Sequence, residues 1–257
     1  METIIPKTST VLAALLKADF TTQWRNRRSV VLVLLVPVII IISWKPLAGL
    51  AGGTFVLSNG IGIGLTALGL MGYSNSIARD RDKGIFQRLR VAPLPSWAIM
   101  ASRLLVQLLM MVLITTVVFV IGHTTDGITL TPAGYVLTYF TAFIGGAVYL
   151  CLGQVIVGLI KNPETVNSTS RLVYIAFIMS GMFGAIVGIK NGGSGDLVHQ
   201  IAEIIQWSPY GTVNKILAAG MLPGGWNMDA NYALLATIGY TLVFAVIGIK
   251  NFKWDTK

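Results

Sequence analysis

The charged residues of this chain concentrate in one stretch, Arg79 to Pro95, which reads RDRDKGIFQRLRVAPLP. Its carboxylates and guanidinium groups suit ion pairs with another protein surface, whereas a paired-carboxylate arrangement for acid–base catalysis is absent. Ile85, Phe86 and Leu89 fall at i, i+1 and i+4, which predicts a short helix with one narrow apolar edge. Because so short a helix is not stable alone, we expect it to dock on another surface.

The ends of this helix and its flanks place it at a membrane surface. Gly84 stands where the helix begins, and Pro93 ends it before the next apolar run. Residues 60–78 and 104–121 flank the stretch and contain no Asp, Glu, Lys or Arg. A loop that only satisfies the positive-inside rule is the alternative interpretation.

One serine could be taken for a nucleophile. Ser194 lies in the run Gly192–Gly195, and His199 and His123 are the histidines of the chain. An intramembrane serine protease needs its serine in a buried pocket beside an oriented base. Ser194 instead lies in a polar stretch, so a flexible glycine linker is favoured.

Other signatures of catalysis or cofactor binding are missing from the sequence. It contains no GxxxxGK[ST] motif, so the chain by itself cannot cradle and hydrolyse ATP. It contains no HExxH or CxxC motif, and Cys151 is the single cysteine. We predict no enzyme activity and no bound metal or cofactor.

Composition indicates an integral membrane protein. Of 257 residues, 54% are hydrophobic and 11% are charged, against roughly 25% charged residues in a soluble domain. The net charge of +9 comes from basic residues scattered between apolar runs. That pattern serves membrane orientation better than phosphate binding, so we expect no nucleic-acid partner.

The apolar runs predict a single all-α membrane domain over residues 1–257 with six transmembrane helices. The predicted spans are 29–44, a glycine-rich stretch from 47 to about 78, 97–121, 135–160, 172–189 and 232–249. Pro37 predicts a kink in the first span. Gly60 and Gly64 in span two, and Gly184 and Gly188 in span five, form small-residue faces for helix packing.

Three features lie outside the membrane cores. Residues 1–28 predict an amphipathic interfacial helix, in which Asp19 falls on the apolar side and should pair with a basic residue of another element. Arg103, one or two turns into span three, should snorkel to the headgroups. Residues 190–231 predict two short apolar helices around the turn of Trp207, Pro209 and Tyr210, which dip into the outer leaflet.

The distribution of positive charge sets the orientation. Six spans place both termini on one side, and only Lys45, Lys190 and Lys215 of the nineteen Lys and Arg residues fall on the other. The positive-inside rule therefore predicts that both termini and residues 79–95 are cytoplasmic.

Residues 79–95 also resemble the signature of the type-2 permease family of ABC transporters, the membrane subunits of ATP-driven exporters. The matching residues are Asp80, Asp82, Gly84, Leu89 and Pro93. Ile85 replaces the usual Thr, and Gln87 replaces a frequent Glu. The turn at Trp207, Pro209 and Tyr210 is also similar to what the family carries before its last span.

The resemblance implies that residues 79–95 hold the coupling helix, which inserts into a groove of a separate ATPase subunit. Ile85, Phe86 and Leu89 would fill that groove, and Arg88, Asp80 and Asp82 would supply rim charges. ATP and Mg would be bound by the ATPase. Two ATPase subunits and a second permease subunit, identical or related, would complete the transporter.

The resemblance further implies a multi-pass protein of a prokaryotic cell membrane. The small-residue faces are predicted to pack near the dimer interface along an apolar path for a lipid-like, drug-like or antibiotic substrate, in contact with membrane lipids. Two other classes stay open: an ion-coupled transporter or channel, although the six cores lack an ionisable residue near the bilayer middle, and a membrane enzyme.

Overall fold

A computed structural model describes residues 8–25, 27–91, 96–189, 196–222 and 224–252. Within those ranges the chain is helical and contains no strand. The α-helices are α1 (Thr8–Arg25), α2 (Arg27–Ser43), α3 (Lys45–Ala51), α4 (Gly53–Thr66), α5 (Ser74–Asp82), α6 (Ile85–Val91), α7 (Ser96–Asp126), α8 (Pro132–Leu159), α9 (Pro163–Ile189), α10 (Asp196–Gln206), α11 (Pro209–Met221) and α12 (Met228–Asn251). A π-helical segment, Ala67–Tyr73, joins α4 to α5 without a break.

Four helical stretches of the described chain are long and apolar enough to cross a membrane. They are Gly53–Asp82, Ser102–Asp126, Pro132–Leu159 and Met228–Asn251. These correspond to predicted spans two, three, four and six. Val33–Ser43, in the predicted first span, is apolar but shorter. The fifth lies in α9, which is helical but is not among the four, so the count of six stays a prediction.

Several helices extend further than the apolar runs alone suggested. The second span continues to Asp82 instead of ending near Ala78, and α7 continues to Asp126 instead of Ile121. Polar residues at a membrane surface do not stop a helix, whereas proline and positive-φ glycine do. Gly127, at φ 63°, follows α7, and Pro132 and Pro163 open α8 and α9.

The stretch Gly53–Asp82 is the central helix of the fold. In its most apolar window, 89% of the residues are buried. Its glycines permit close approach: a Cβ on Gly60 would lie 2.9 Å from Ile41 Cγ1, and one on Gly64 would lie 2.5 Å from Ile114 Cγ2. Gly60 and Gly64 therefore pack against α2 and α7 of the same chain, and a dimer interface near them stays a prediction.

The π-helical segment brings two backbones into contact. A Cβ on Gly153 of α8 would lie 2.5 Å from the carbonyl oxygen of Gly69, and one on Gly69 would lie 2.5 Å from the backbone of Tyr149. The Tyr73 hydroxyl then donates to Gln154 Oε1 at 2.9 Å. A π-bulge at this depth thus fits α8 closely against the central helix.

The segment after α9 forms two helices on either side of a turn. Ser208 caps α11, because its Oγ accepts a hydrogen bond from the N–H of Gly211 at 3.2 Å, and Pro209 follows the cap. The second helix therefore begins at Pro209, so Pro209 and Tyr210, which were predicted to lie in the turn, form its first residues. Tyr210, Val213 and Leu217 are buried, since α11 packs between α4, α8 and α12.

Candidate coupling site

The charge-dense stretch divides into the last turn of α5, a tight turn and α6. Gly84, at φ 65°, adopts the left-handed conformation that favours glycine. Its N–H donates to the Arg81 carbonyl at 3.1 Å, and its carbonyl accepts from Arg88 N–H at 3.2 Å. Gly84 thus ends one helix and starts the next. Pro93, which was predicted to stop α6, lies outside the described residues.

Phe86 occupies a different position from the one the sequence indicated. Its side chain is 1% exposed and belongs to the core of the chain itself. The ring packs edge-on against Phe252, just after α12, with 6.0 Å between ring centroids at an angle of 87°. The expectation that Phe86 fills a groove on a partner is therefore wrong for this structure. Ile85 is half-buried, and the side chain of Leu89 lies outside the described set.

Arg103 of α7 faces the interior rather than the headgroups. Its Nη2 donates to Asp80 Oδ2 at 2.7 Å, in an ion pair whose side chains are 10% and 15% exposed. Its Cζ lies 4.7 Å from the centroid of the Phe86 ring, which is a cation–π contact. Arg103 therefore does not snorkel, because Asp80 and Phe86 compensate its charge inside. Asp80 is correspondingly part of the interior and not of an exposed rim.

Asp19 of α1 meets the neighbouring residue of α7. Ser102 Oγ donates a short hydrogen bond to Asp19 Oδ2. The hydrogen-bond partner is thus a hydroxyl rather than the predicted basic residue, although the charge of Arg103 of α7 acts on the carboxylate. Burial raises the pKa of Asp19 above its ordinary value, and the Ser102 hydrogen bond and the charge of Arg103 oppose that rise.

Arg81 makes a buried contact beneath this region that the sequence analysis did not single out. It is 2% exposed. Its guanidinium donates to three carbonyls at the end of α8: Val157 at 2.7 Å, Ile160 at 2.7 Å and Lys161 at 2.9 Å. These carbonyls have no partner within the helix, so Arg81 satisfies them and complements the helix dipole. Arg81 lies four residues after the buried Ile77, and this helical spacing could have indicated from the sequence that its side chain is buried.

The exposed part of this region is polar. Asp82, Lys83, Gln87 and Arg88 are exposed and are here called the coupling surface. They lie at the end of α5, in the turn and on α6. Beneath them lie Asp80, Phe86 and Arg103, so the surface rests on an internal ion pair and an aromatic contact.

A second polar cluster lies in the other half of the molecule. The Tyr210 hydroxyl and Asn214 Nδ2 both donate to Asn59 Oδ1, each at 3.3 Å. The Tyr240 hydroxyl donates to the Trp207 carbonyl at 2.8 Å. Tyr210 was predicted as part of the turn, whereas Asn59 and Asn214 were missed. Each is an asparagine within an apolar run. Because buried polar groups need partners, this pattern could have predicted that Asn59 and Asn214 form hydrogen bonds inside the molecule.

Next to this cluster is a cavity of about 300 Å³. Its walls come from α4, α9, α10 and α11 and are lined by, among others, Phe55, Ser58, Asn59, Ser180, Tyr210 and Lys215. Gly181 of α9 fits against Tyr210, because a Cβ there would lie 2.5 Å from Tyr210 Cε1. Gly184 and Gly188 lie in α9, and their surroundings are outside the described set.

Comparison with known proteins gives two matches. A protein-family model described as ABC-2 type transporter matches residues 10–190, which run from α1 to the end of α9 and include the coupling surface. A Bacillus subtilis (strain 168) protein named "Putative transport permease YvfS" is 27% identical over 105 residues. The aligned part covers 41% of this chain and 42% of that relative. The chain therefore matches less than half of the relative's length.

Proposed function

The chain belongs to the ABC-2 type transporter family, and from this we propose that it exports a hydrophobic or amphipathic substrate, using ATP hydrolyzed by a separate ATPase subunit. Members of this family are the membrane permeases of ABC transporters, and an ABC ATP-binding subunit is the partner the family implies. The observation that carries the proposal is the coupling surface, a polar, exposed end on a helix that is tied to the membrane helices.

The coupling surface is where the ATPase would bind. Lys83 and Arg88 offer positive charge, Asp82 offers negative charge, and all three are exposed. Phe86 contributes by supporting α6 from beneath, since its ring is already covered by Arg103 and Phe252. Polar contacts at such a rim steer association and depend on salt.

The substrate class is supported by the cavity beside Asn59 and Tyr210. Phe55 and Ala218 provide apolar wall, while Ser58 and Asn59 provide hydrogen-bonding groups. Such a mixture suits a molecule with an apolar body and a few polar atoms. The path of an amphipathic substrate would then pass between α4, α9 and α11, with the helix pair α10 and α11 reaching into the outer leaflet.

The test of the proposal is reversal of charge on the coupling surface. The double variant Lys83→Glu/Arg88→Glu should insert normally, because neither side chain is buried. Each exposed ion pair contributes roughly 0.2–1 kcal/mol, so the amount of ATPase that copurifies should fall at low salt, with a smaller difference at high salt. Copurified ATPase and ATP-dependent transport are the measurements.

The control is Arg171→Glu/Lys250→Glu, which reverses two exposed charges outside the coupling surface, one in the first half of α9 and one in the last turn of α12. It should retain ATPase. Equal ATPase recovery and transport in both double variants would contradict docking at the coupling surface. The loop interpretation and an ion-coupled transporter would then be favoured.

A further inference from the structure

The position of Arg103 beneath α6 raises the question of how a movement of that helix reaches the membrane. α6 has seven residues, and so short a helix has little rigidity of its own. Any displacement imposed on its exposed side must pass through the contacts on its buried side. The described contact there is the Phe86 ring, which lies under the Arg103 guanidinium and beside Phe252.

We propose that Arg103 is the positioning residue through which displacement of α6 is passed to α7 and the central helix during ATP-driven transport. The inference rests on the proposed function and deepens it. One guanidinium makes both critical contacts, with the Phe86 ring at 4.7 Å and with Asp80 Oδ2 at 2.7 Å. Arg103 itself is part of α7, Phe86 is part of α6 and Asp80 is part of α5.

The shape of the guanidinium explains why one side chain can join three helices. It is planar, so its face stacks on a ring while its edge donates to a carboxylate. A lysine ammonium is a compact charge without a face and cannot make both contacts in the same geometry. The arginine is therefore the specific requirement of this joint, beyond its positive charge.

Burial makes the joint stiff. Arg103 is 9% exposed, Phe86 is 1% exposed and the adjacent Ser102 is fully buried. Separating a buried guanidinium from its carboxylate leaves an uncompensated charge, which is strongly unfavourable. When α6 moves, the less costly response is for α7 and α5 to move with it. Ser102, bonded to Asp19, brings α1 into the same unit.

The experiment measures whether α6 and α7 move as one body. Spin labels are placed at Ile85→Cys on α6 and His123→Cys near the far end of α7, in a chain with Cys151→Ala; Ile85 is half-buried and outside the coupling surface, and His123 is exposed. The distance distribution between the labels is recorded by double electron–electron resonance in the complex with its ATPase. It is compared without nucleotide and after trapping with ATP, Mg and vanadate.

With Arg103 present, the distribution is expected to stay narrow and unchanged by trapping. With Arg103→Lys, the distance distribution should equal that of the parent without nucleotide. After trapping it should broaden or shift, because α6 then moves without α7. The matched control, Arg171→Lys on the exposed side of α9, should behave like the parent. If Arg103→Lys lowers the yield, Phe86→Leu keeps apolar volume, removes the aromatic face and should give the same nucleotide-dependent change.

Two results would overturn the inference. One is an Arg103→Lys distribution equal to the parent in both states. The other is broadening already present without nucleotide, which would make Arg103 a static clamp. Failure of the proposed function is seen separately, because the parent chain would then recover no ATPase in the purification that precedes the measurement.

Discussion

At the scale of single residues, the fold depends on polar side chains that are buried but partnered. Arg81 satisfies the carbonyls that end α8, and Arg103 meets both Asp80 and Phe86. In a region close to the membrane such groups are costly unless compensated. Each one therefore fixes the position of one helix against another, because the partners have to stay together.

Asp19 gives a residue-scale prediction about pH. Burial is the main cause of its raised pKa, so the folded state holds the proton more tightly than the unfolded state. Stability from this group is present below the ordinary aspartate pKa and is lost as pH rises through the raised value. Asp19→Asn keeps an acceptor for Ser102 and removes the titrating group, so stability should fall less as the pH rises. The measurement is the thermal midpoint against pH in lipid nanodiscs.

The control for Asp19 is Asp229→Asn, an exposed carboxylate in the first turn of α12. In Asp229→Asn, the difference between the thermal midpoints at acid and neutral pH should equal that of the parent. Parallel pH profiles for Asp19→Asn and the parent would show that the partly buried carboxylate does not control this part of the stability.

At the scale of elements, the central helix determines how closely its neighbours approach. Gly60 and Gly64 stand against α2 and α7, and Gly69 meets the backbone of α8 through Gly153. Without side chains of their own, these positions allow close contact, with side chains at Gly60 and Gly64 and with backbone at Gly69, and this packing supplies the dispersion energy that replaces a hydrophobic driving force between helices in lipid. Bulk at any of them would push two helices apart.

Gly64→Leu is the prediction at this scale. The Cβ alone would lie 2.5 Å from Ile114 Cγ2 and 3.0 Å from Pro37 Cγ, so α2 or α7 has to shift. Overpacking of a filled core typically costs about 1–3 kcal/mol, and the thermal midpoint and yield should fall. Gly239→Leu on α12 is the matched control, since apart from its chain neighbours and the backbone of its own helix no atom of the described chain lies within 4 Å of the Cβ position there. Similar midpoints for the two variants would contradict the packing argument.

At the scale of the whole molecule, the exposed surface is apolar around the bundle and polar at the coupling surface. Leu235, Leu242 and Ile249 of α12 are more than 60% exposed, as expected for side chains that face lipid. The four described spans and the family match to ABC-2 type transporters describe a permease that has no ATP-binding motif of its own. We propose that the energy for transport enters through contact with a separate ATPase subunit.

The prediction for the whole molecule concerns assembly. Purified in mild detergent together with its ATPase, the permease should run as a complex of two permease and two ATPase subunits. The physical reason is that an ATPase bound at the coupling surface has to move two halves of a transport path relative to each other. Mass measurement of the intact complex tests the stoichiometry. A stable monomer that transports without ATPase would contradict the proposal.

The sequence alone determined the features that depend on local pattern. Apolar runs of sufficient length predicted a helical membrane protein, and Gly84 marked the start of α6, because positive-φ glycines act over a few residues. Tertiary structure decided which face of each element is buried. The direction of Phe86, the ion pair of Arg103 with Asp80, and the joining of Asn59 to Tyr210 across 151 residues of sequence all depend on how helices pack. No local pattern specifies a partner that distant in the chain.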